Sequence, residues 1–145
     1  MLATFALLIH QAFQSVAGAA TLPVVPVPAA LPAPVQRSYL IFFKPDSPVL
    51  SRRAQTVIAE VAAASKRGSY TRIAVSGYAD TAEGSSQQKQ AISLRRAQAV
   101  GAALAAAGVQ RTSITAQGFA DSKLAVPTAP GVHEQQNRRV EIVME

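Results

Sequence analysis

The stretch RIAVSGYADTAEGSSQQKQAISLRRAQAVGAAL, residues 72–104, joins a strand pattern to a helix pattern through a polar loop. Residues 72–78 predict a strand in which Ile73 and Val75 share one face. After the loop TAEGSSQQKQ, apolar residues recur at helical spacing, and this periodicity predicts a helix from Ile92 to Ala107. A helix of this length after a strand is typical of a crossover connection, so the unit predicts a sheet with some parallel strand pairs.

Sequence patterns on both sides of this strand–helix unit predict the remaining helix and strands of the fold. Ser51 can cap a helix that runs to about Arg67, where Gly68 can end it. Three further short apolar segments predict strands: SYLIFF at 38–43, SITAQGF at 113–119 and NRRVEIVM at 137–144. The order β-α-β-α-β-β predicts an α/β fold of the α+β sandwich type, with a mixed four-stranded sheet and both helices packed on one face.

Charged side chains are confined to the part of the chain after Gln36. The uncharged first part begins with an apolar stretch and small residues, a pattern that predicts a cleaved export signal over residues 1–20. Because no Lys or Arg precedes the apolar stretch, a disordered or truncated N-terminus is the alternative. Residues 21–36 hold five prolines, which favour an extended spacer. We therefore predict a signal peptide, a Pro-rich linker and one domain over residues 37–145.

Net charge and cysteine content limit the kinds of function. The chain carries 14 Lys and Arg against 8 Asp and Glu, a net charge of +6, and a basic surface attracts polyanions. Nucleic acid, anionic lipid and cell-wall polymers all fit that description. The chain has no Cys, which excludes disulfides and thiolate metal sites. His133 stands in its loop without a second histidine, so we expect no metal site and no other cofactor.

Asp80 and Arg96 are the strongest candidates for a binding site. Asp80 ends the strand pattern, and Arg96 lies at the flank of the apolar stripe of the next helix, whereas Arg95 points away from that stripe. Together, a carboxylate and a guanidinium can hold a zwitterion, because they bind its ammonium and its carboxylate respectively. The alternative is a turn aspartate and two surface arginines. We expect Asp80 to lie in a loop outside the core, so that Asp80→Asn removes binding and leaves the fold intact.

Four segments, in order along the chain, resemble the OmpA-like peptidoglycan-binding domain, which also occurs in peptidoglycan-associated lipoproteins and flagellar motor proteins. The segments are FKPDSPVL at 43–50, VSGYAD at 75–80, ISLRRAQAVGAAL at 92–104 and NRRVEI at 137–142. The resemblance implies that Asp80 and Arg96 bind the diaminopimelate in the peptide stem of peptidoglycan. Diaminopimelate offers a free amino acid end, which agrees with the zwitterion hypothesis.

The resemblance also implies secondary contacts at Ala79, Lys44, Asn137 and Arg139. Where this chain has Lys44 the family often has Asp or Asn, so only a contact through the backbone is carried over. Alternation along the last strand places Arg138 with the core-facing residues, and we therefore interpret Arg138 as mainly structural. The interval from Asp80 to Arg96 is one residue longer than usual, so we expect the intervening loop to bulge.

The function that the resemblance implies is non-catalytic binding of peptidoglycan in the periplasm or cell envelope, with outer-membrane or other envelope proteins as further candidate partners. We expect no nucleic-acid partner, because the basic composition comes without an aromatic stacking platform or a basic helix run. A cell-wall hydrolase and a basic nucleic-acid-binding module are the alternatives. The hydrolase would need a nucleophile, a metal or two cooperating carboxylates, and acidic residues are sparse.

Overall fold

A computed structural model describes residues 36–145, and the predicted signal peptide and nearly all of the predicted linker lie outside this range. The regular elements are β1 (Arg37–Phe42), α1 (Arg52–Arg67), β2 (Ile73–Gly77), α2 (Ser86–Ala106), β3 (Ile114–Gly118) and β4 (Arg139–Met144), with a short 3₁₀ turn at Arg111–Ser113. The predicted order of strands and helices is therefore confirmed. Within the described range, neither helix is long and apolar enough to cross a membrane.

The four strands form one mixed sheet in the order β1-β4-β2-β3. The last strand inserts between the first and the second and runs antiparallel to both, whereas β2 and β3 are parallel. Phe42 pairs with Arg139, and Gly77 pairs with both Val140 and Gly118. The ends of β1, β2 and β3 and the start of β4 therefore meet at one edge of the sheet, which we call the site edge.

The hydrophobic core lies between the sheet and the two helices. Both helices contribute fully buried apolar side chains, and so do three of the strands; the largest of these are Ile41, Val61, Ile73, Val75, Val100, Leu104, Val140, Ile142 and Met144. Helix α2 approaches the sheet closely at Gly77 and Gly118. A Cβ at Gly77 would lie 1.9 Å from the Ser93 carbonyl oxygen, and one at Gly118 would lie 2.5 Å from the Leu94 nitrogen. These glycines therefore allow α2 to pack against the site edge.

Helix α2 begins at Ser86, six residues before the predicted start at Ile92, so the predicted loop was wrong in its second half. Ser85 and Gln88 form a capping box: the Gln88 N–H donates to the Ser85 hydroxyl, and the Ser85 N–H donates to Gln88 Oε1 at 2.7 Å. These bonds satisfy N–H groups that a helix start otherwise leaves unpaired. Because its first turn is polar and largely exposed, apolar periodicity did not reveal it.

Strand β4 begins at Arg139, two residues later than predicted. The N–H groups of Asn137 and Arg138 donate instead to the carbonyls of Glu134 and Gln135, which lie in a turn. This turn brings both side chains to the site edge before the strand starts.

Candidate ligand-binding site

Asp80 lies just beyond β2, and its side chain is fully buried. Its Oδ2 accepts from Arg138 Nη1 at 2.7 Å and from the Glu134 N–H at 3.1 Å, and His133 Nδ1 lies 3.2 Å away. Its Oδ1 accepts from the Ala82 N–H at 3.0 Å. The expectation that Asp80 stands outside the packed structure was therefore wrong, because its carboxylate holds two loops together.

The donors around Asp80 keep its carboxyl group ionised. Burial alone would raise the pKa, because a charged group loses hydration in the interior. The hydrogen bonds from Arg138, from the backbone at Glu134 and Ala82, and from His133 outweigh that effect and lower the pKa of Asp80 below its ordinary value. The site therefore contains a permanent negative charge at neutral pH.

Arg96 is also fully buried, and every N–H of its guanidinium has an acceptor. The Nε group donates to the Ser47 carbonyl at 3.2 Å. The Nη1 group donates to the Tyr78 carbonyl at 3.1 Å and to Glu83 Oε2 at 2.7 Å. The Nη2 group donates to the Lys44 carbonyl at 3.0 Å and to Glu83 Oε1. Arg96 thus ties the loop after β1 to the loop after β2.

The helical periodicity predicted correctly which of the two neighbouring arginines faces the sheet and which faces solvent. Arg96 is buried and lies over the ring of Phe43, with 5.4 Å between the guanidinium carbon and the ring centroid. Arg95 is exposed. Because Asp80 bonds Arg138 and Arg96 bonds Glu83, the two predicted binding residues each have a charged partner within the chain.

Glu83 is the site residue that sequence reasoning missed. Its side chain is fully buried, and besides the two bonds from Arg96 it accepts the Asp46 N–H at 2.8 Å and the Asp80 N–H at 3.1 Å. Glu83 was predicted only as one residue of the polar loop TAEGSSQQKQ. No local sequence signal distinguishes it from a solvated glutamate, and the chain turns sharply directly after it, with Gly84 at φ +85°.

Three of the secondary candidates make contacts that shape the loops of the site. The Lys44 side chain is exposed, and its carbonyl accepts from Arg96. Ala79 is buried, and its N–H donates to the Ala120 carbonyl at 2.8 Å. The buried Asn137 amide bonds both backbone groups of Val126 at 2.9 Å, which fixes the long loop before β4.

Arg138, rather than Arg139, contacts Asp80. Besides its ion pair with Asp80, Arg138 donates through Nε to the Phe43 carbonyl at 3.1 Å. Arg139 lies over the Tyr78 ring, with 4.1 Å between the guanidinium carbon and the ring centroid, and pairs with Glu141 at 2.7 Å. The interpretation of Arg138 as mainly structural was therefore incomplete, since its guanidinium also pairs with Asp80 in the candidate site.

A solvent-open cleft of about 530 Å³ lies beside this network. It is lined by Asp46, by residues 82–84 and by Gln88, Ala91, Ile92 and Arg95 of α2. Glu83 lines the cleft and is also bonded to Arg96, so the cleft lies next to the charged partner of the buried guanidinium.

Comparison with known proteins finds a matching family model and proteins of similar sequence or fold. The model of the OmpA family matches residues 42–138, a range that includes Asp80, Glu83, Arg96 and Arg138. An "Outer membrane protein" of Gluconacetobacter diazotrophicus is 41% identical over 113 residues. The match covers 74% of this chain and 30% of that relative, so the chain spans less than a third of the relative's length.

Two solved structures share the fold. The peptidoglycan-associated lipoprotein from Burkholderia pseudomallei superposes with a TM-score of 0.67 at 25% identity, covering 73% of this chain and 89% of the other. The OmpA-like domain of FopA1 from Francisella tularensis superposes with a TM-score of 0.66 at 23% identity, covering 76% of this chain and 75% of the other. The mixed sheet with two helices is thus the same architecture in all three proteins.

Proposed function

This chain belongs to the OmpA family, and we propose that its residues 37–145 form a non-catalytic module that binds peptidoglycan and tethers the protein to the cell wall. The name of the similar peptidoglycan-associated lipoprotein supports the choice of polymer. The name of the similar outer membrane protein supports a location in the cell envelope. An export signal would deliver the domain to that compartment.

The proposed ligand group is the free amino acid end of diaminopimelate in the peptide stem. The observation that carries this proposal is the burial of a carboxylate, Asp80, and a guanidinium, Arg96, at one edge of the sheet. Asp80 would bind the ligand ammonium, and Arg96 would bind the ligand carboxylate by its two Nη groups. A zwitterion brings one charge of each sign, so its binding adds no net charge to the buried site.

The two carboxylate oxygens of Asp80 differ in whether they can accept a further hydrogen bond. Three groups from Arg138, Glu134 and His133 surround Oδ2, whereas among the described residues Oδ1 accepts from Ala82 alone. A carboxylate oxygen can accept more than one hydrogen bond. We therefore assign the ligand ammonium to Oδ1, where it would share the carboxylate with the Ala82 N–H.

The experiment that tests this function is a pull-down of the full chain with purified peptidoglycan sacculi. We expect the chain to sediment with the sacculi and to be released by free diaminopimelate. Pimelate, which has the carboxylates but no ammonium, should release much less. Failure to sediment, or equal release by pimelate, would reject the proposal. Release of soluble fragments from the sacculi would instead favour the hydrolase alternative.

A further inference from the structure

We propose that Glu83 occupies the carboxylate-binding position of this chain's own ligand site, so that a ligand carboxylate binds Arg96 only by displacing it. The first half of this proposal, that the position accepts a carboxylate from outside the chain, stands on the contacts of Glu83 alone. The second half, that diaminopimelate is the competing ligand, rests on the proposed function.

The surroundings of the Glu83 carboxylate are those of a complete anion site. Two Nη groups of Arg96 and the backbone N–H groups of Asp46 and Asp80 point at its two oxygens. These four donors come from three separate segments: the loop after β1, the loop after β2, and α2. Such an arrangement recognises any carboxylate that reaches it, because the donors bond the carboxylate oxygens alone.

Arg96 has no donor left for an additional carboxylate. Its remaining N–H groups bond the backbone carbonyls of Lys44, Ser47 and Tyr78, which belong to the loops that frame the site. A ligand that took those bonds would leave one buried and two partly buried carbonyls unpaired, at a substantial cost. If the ligand carboxylate instead takes the place of the Glu83 carboxylate, these carbonyls keep their hydrogen bonds.

The position of Glu83 allows that exchange. Glu83 lines the open cleft although its side chain is buried, and its neighbour Gly84 has φ +85°, a conformation that favours glycine. Once released, the Glu83 carboxylate can turn into the cleft and recover hydration there. The binding free energy of the ligand is then reduced by the free energy of breaking the Glu83–Arg96 pair, so Glu83 would set the affinity of the site.

The first half is tested by replacing the internal carboxylate with an external one. We expect Glu83→Ala to lower Tm, and sodium acetate to restore part of the loss relative to sodium chloride at equal ionic strength. The wild type and Glu60→Ala, which truncates an exposed glutamate on α1, should respond equally to the two salts. Equal response of Glu83→Ala to both salts, or failure to fold in either, would overturn the carboxylate site.

The second half is tested with Glu83→Gln, which keeps the shape and removes the charge. Because a neutral amide competes less well for Arg96 than a carboxylate, we expect calorimetry to show diaminopimelate binding about tenfold more tightly than to the wild type. Glu60→Gln, which makes the same change at an exposed position, should bind as the wild type does. Unchanged or weaker binding by Glu83→Gln would show that Glu83 only holds the loop and would overturn the competition.

The carboxylate site at Arg96 and the identity of its ligand can be rejected independently of each other. If no variant and no wild-type protein binds diaminopimelate or sacculi, the proposed function is rejected. Acetate-dependent recovery of Glu83→Ala in the same experiments would nevertheless support Arg96 as the centre of a carboxylate site.

Discussion

Asp80 has a structural role as well as a proposed binding role, because its carboxylate compensates a nearly buried guanidinium. The side chain of Arg138 is 9% exposed, and Asp80 is its charged partner. Removal of one partner from a buried ion pair leaves the other charge without compensation, which typically costs about 3–5 kcal/mol. The same carboxylate therefore contributes to folding before any ligand is bound.

We predict that Asp80→Asn lowers the free energy of unfolding by about 3 kcal/mol, near the lower end of that range because Asn keeps the shape and one acceptor oxygen. Urea denaturation measures the effect. The matched control is Asp121→Asn, which breaks the partly exposed Lys89–Asp121 pair and should cost about 1 kcal/mol or less. Equal losses in the two variants would mean that the Asp80–Arg138 pair contributes no more than a surface ion pair.

The lowered pKa of Asp80 predicts a dependence of stability on pH. Because the unfolded chain takes up this proton at a higher pH than the folded chain, acid favours unfolding. The contribution of Asp80 should be fully present above its ordinary pKa of 3.8 and should be lost as the pH falls through the lower folded value. The difference in unfolding free energy between the wild type and Asp80→Asn, measured from pH 7 to pH 2, should shrink over that interval. A constant difference would contradict this assignment.

Helix α2 carries Arg96 of the candidate site, and its apolar periodicity is visible in the sequence. Its phase buries Arg96 and exposes Arg95, and periodicity alone was sufficient to predict this. Its start was not predicted, although Ser85 and Gln88 carry the capping-box pattern, because an exposed polar turn has no apolar signal. The partner of Arg96 was missed for a related reason: nothing in the local sequence distinguishes a buried Glu83 from a solvated one.

The phase of α2 predicts unequal effects of two neighbouring substitutions. Arg96→Ala removes the charged partner of Glu83 and the proposed ligand contact, so we expect loss of sacculus binding together with lower stability. Arg95→Ala should affect both properties much less, because Arg95 is exposed and lines the cleft without being the charged partner of Glu83. Sacculus binding is compared at equal folded fraction, as judged by circular dichroism. Equal loss of binding in the two variants would indicate diffuse charge attraction instead of a specific site.

Close packing of α2 on the sheet predicts the effect of an added methyl group. Gly77→Ala would place a Cβ 1.9 Å from the Ser93 carbonyl oxygen, so α2 must shift. We expect a loss of about 1–3 kcal/mol in unfolding free energy. Gly101→Ala is the control, because its nearest neighbour would be an ordinary 3.4 Å away and Ala favours a helix. Urea denaturation compares the two, and a loss in Gly101→Ala as large as that in Gly77→Ala would contradict this account of helix packing.

In the whole molecule, the sheet topology assembles the site from segments that are distant in sequence. Asp80 and Arg138 are separated by 58 positions, and Arg96 and the Ser47 carbonyl by 49. Strand and helix patterns predicted the fold class, and four family-like segments predicted the family, because both depend on local composition and order. The pairings of Asp80 with Arg138 and of Arg96 with Glu83 depend on loop conformation, which those patterns do not determine.

The central claim is that one domain binds a zwitterion through Asp80 and Arg96. The most direct measurement is a calorimetric titration of the full chain with two stem peptides that differ at one residue, diaminopimelate or lysine. Lysine keeps the side-chain ammonium and lacks the second carboxylate, so it cannot displace Glu83. We predict binding of the diaminopimelate peptide that is at least about tenfold tighter, the value of one charge-assisted hydrogen bond. Equal affinity for the two peptides would contradict recognition of the zwitterion.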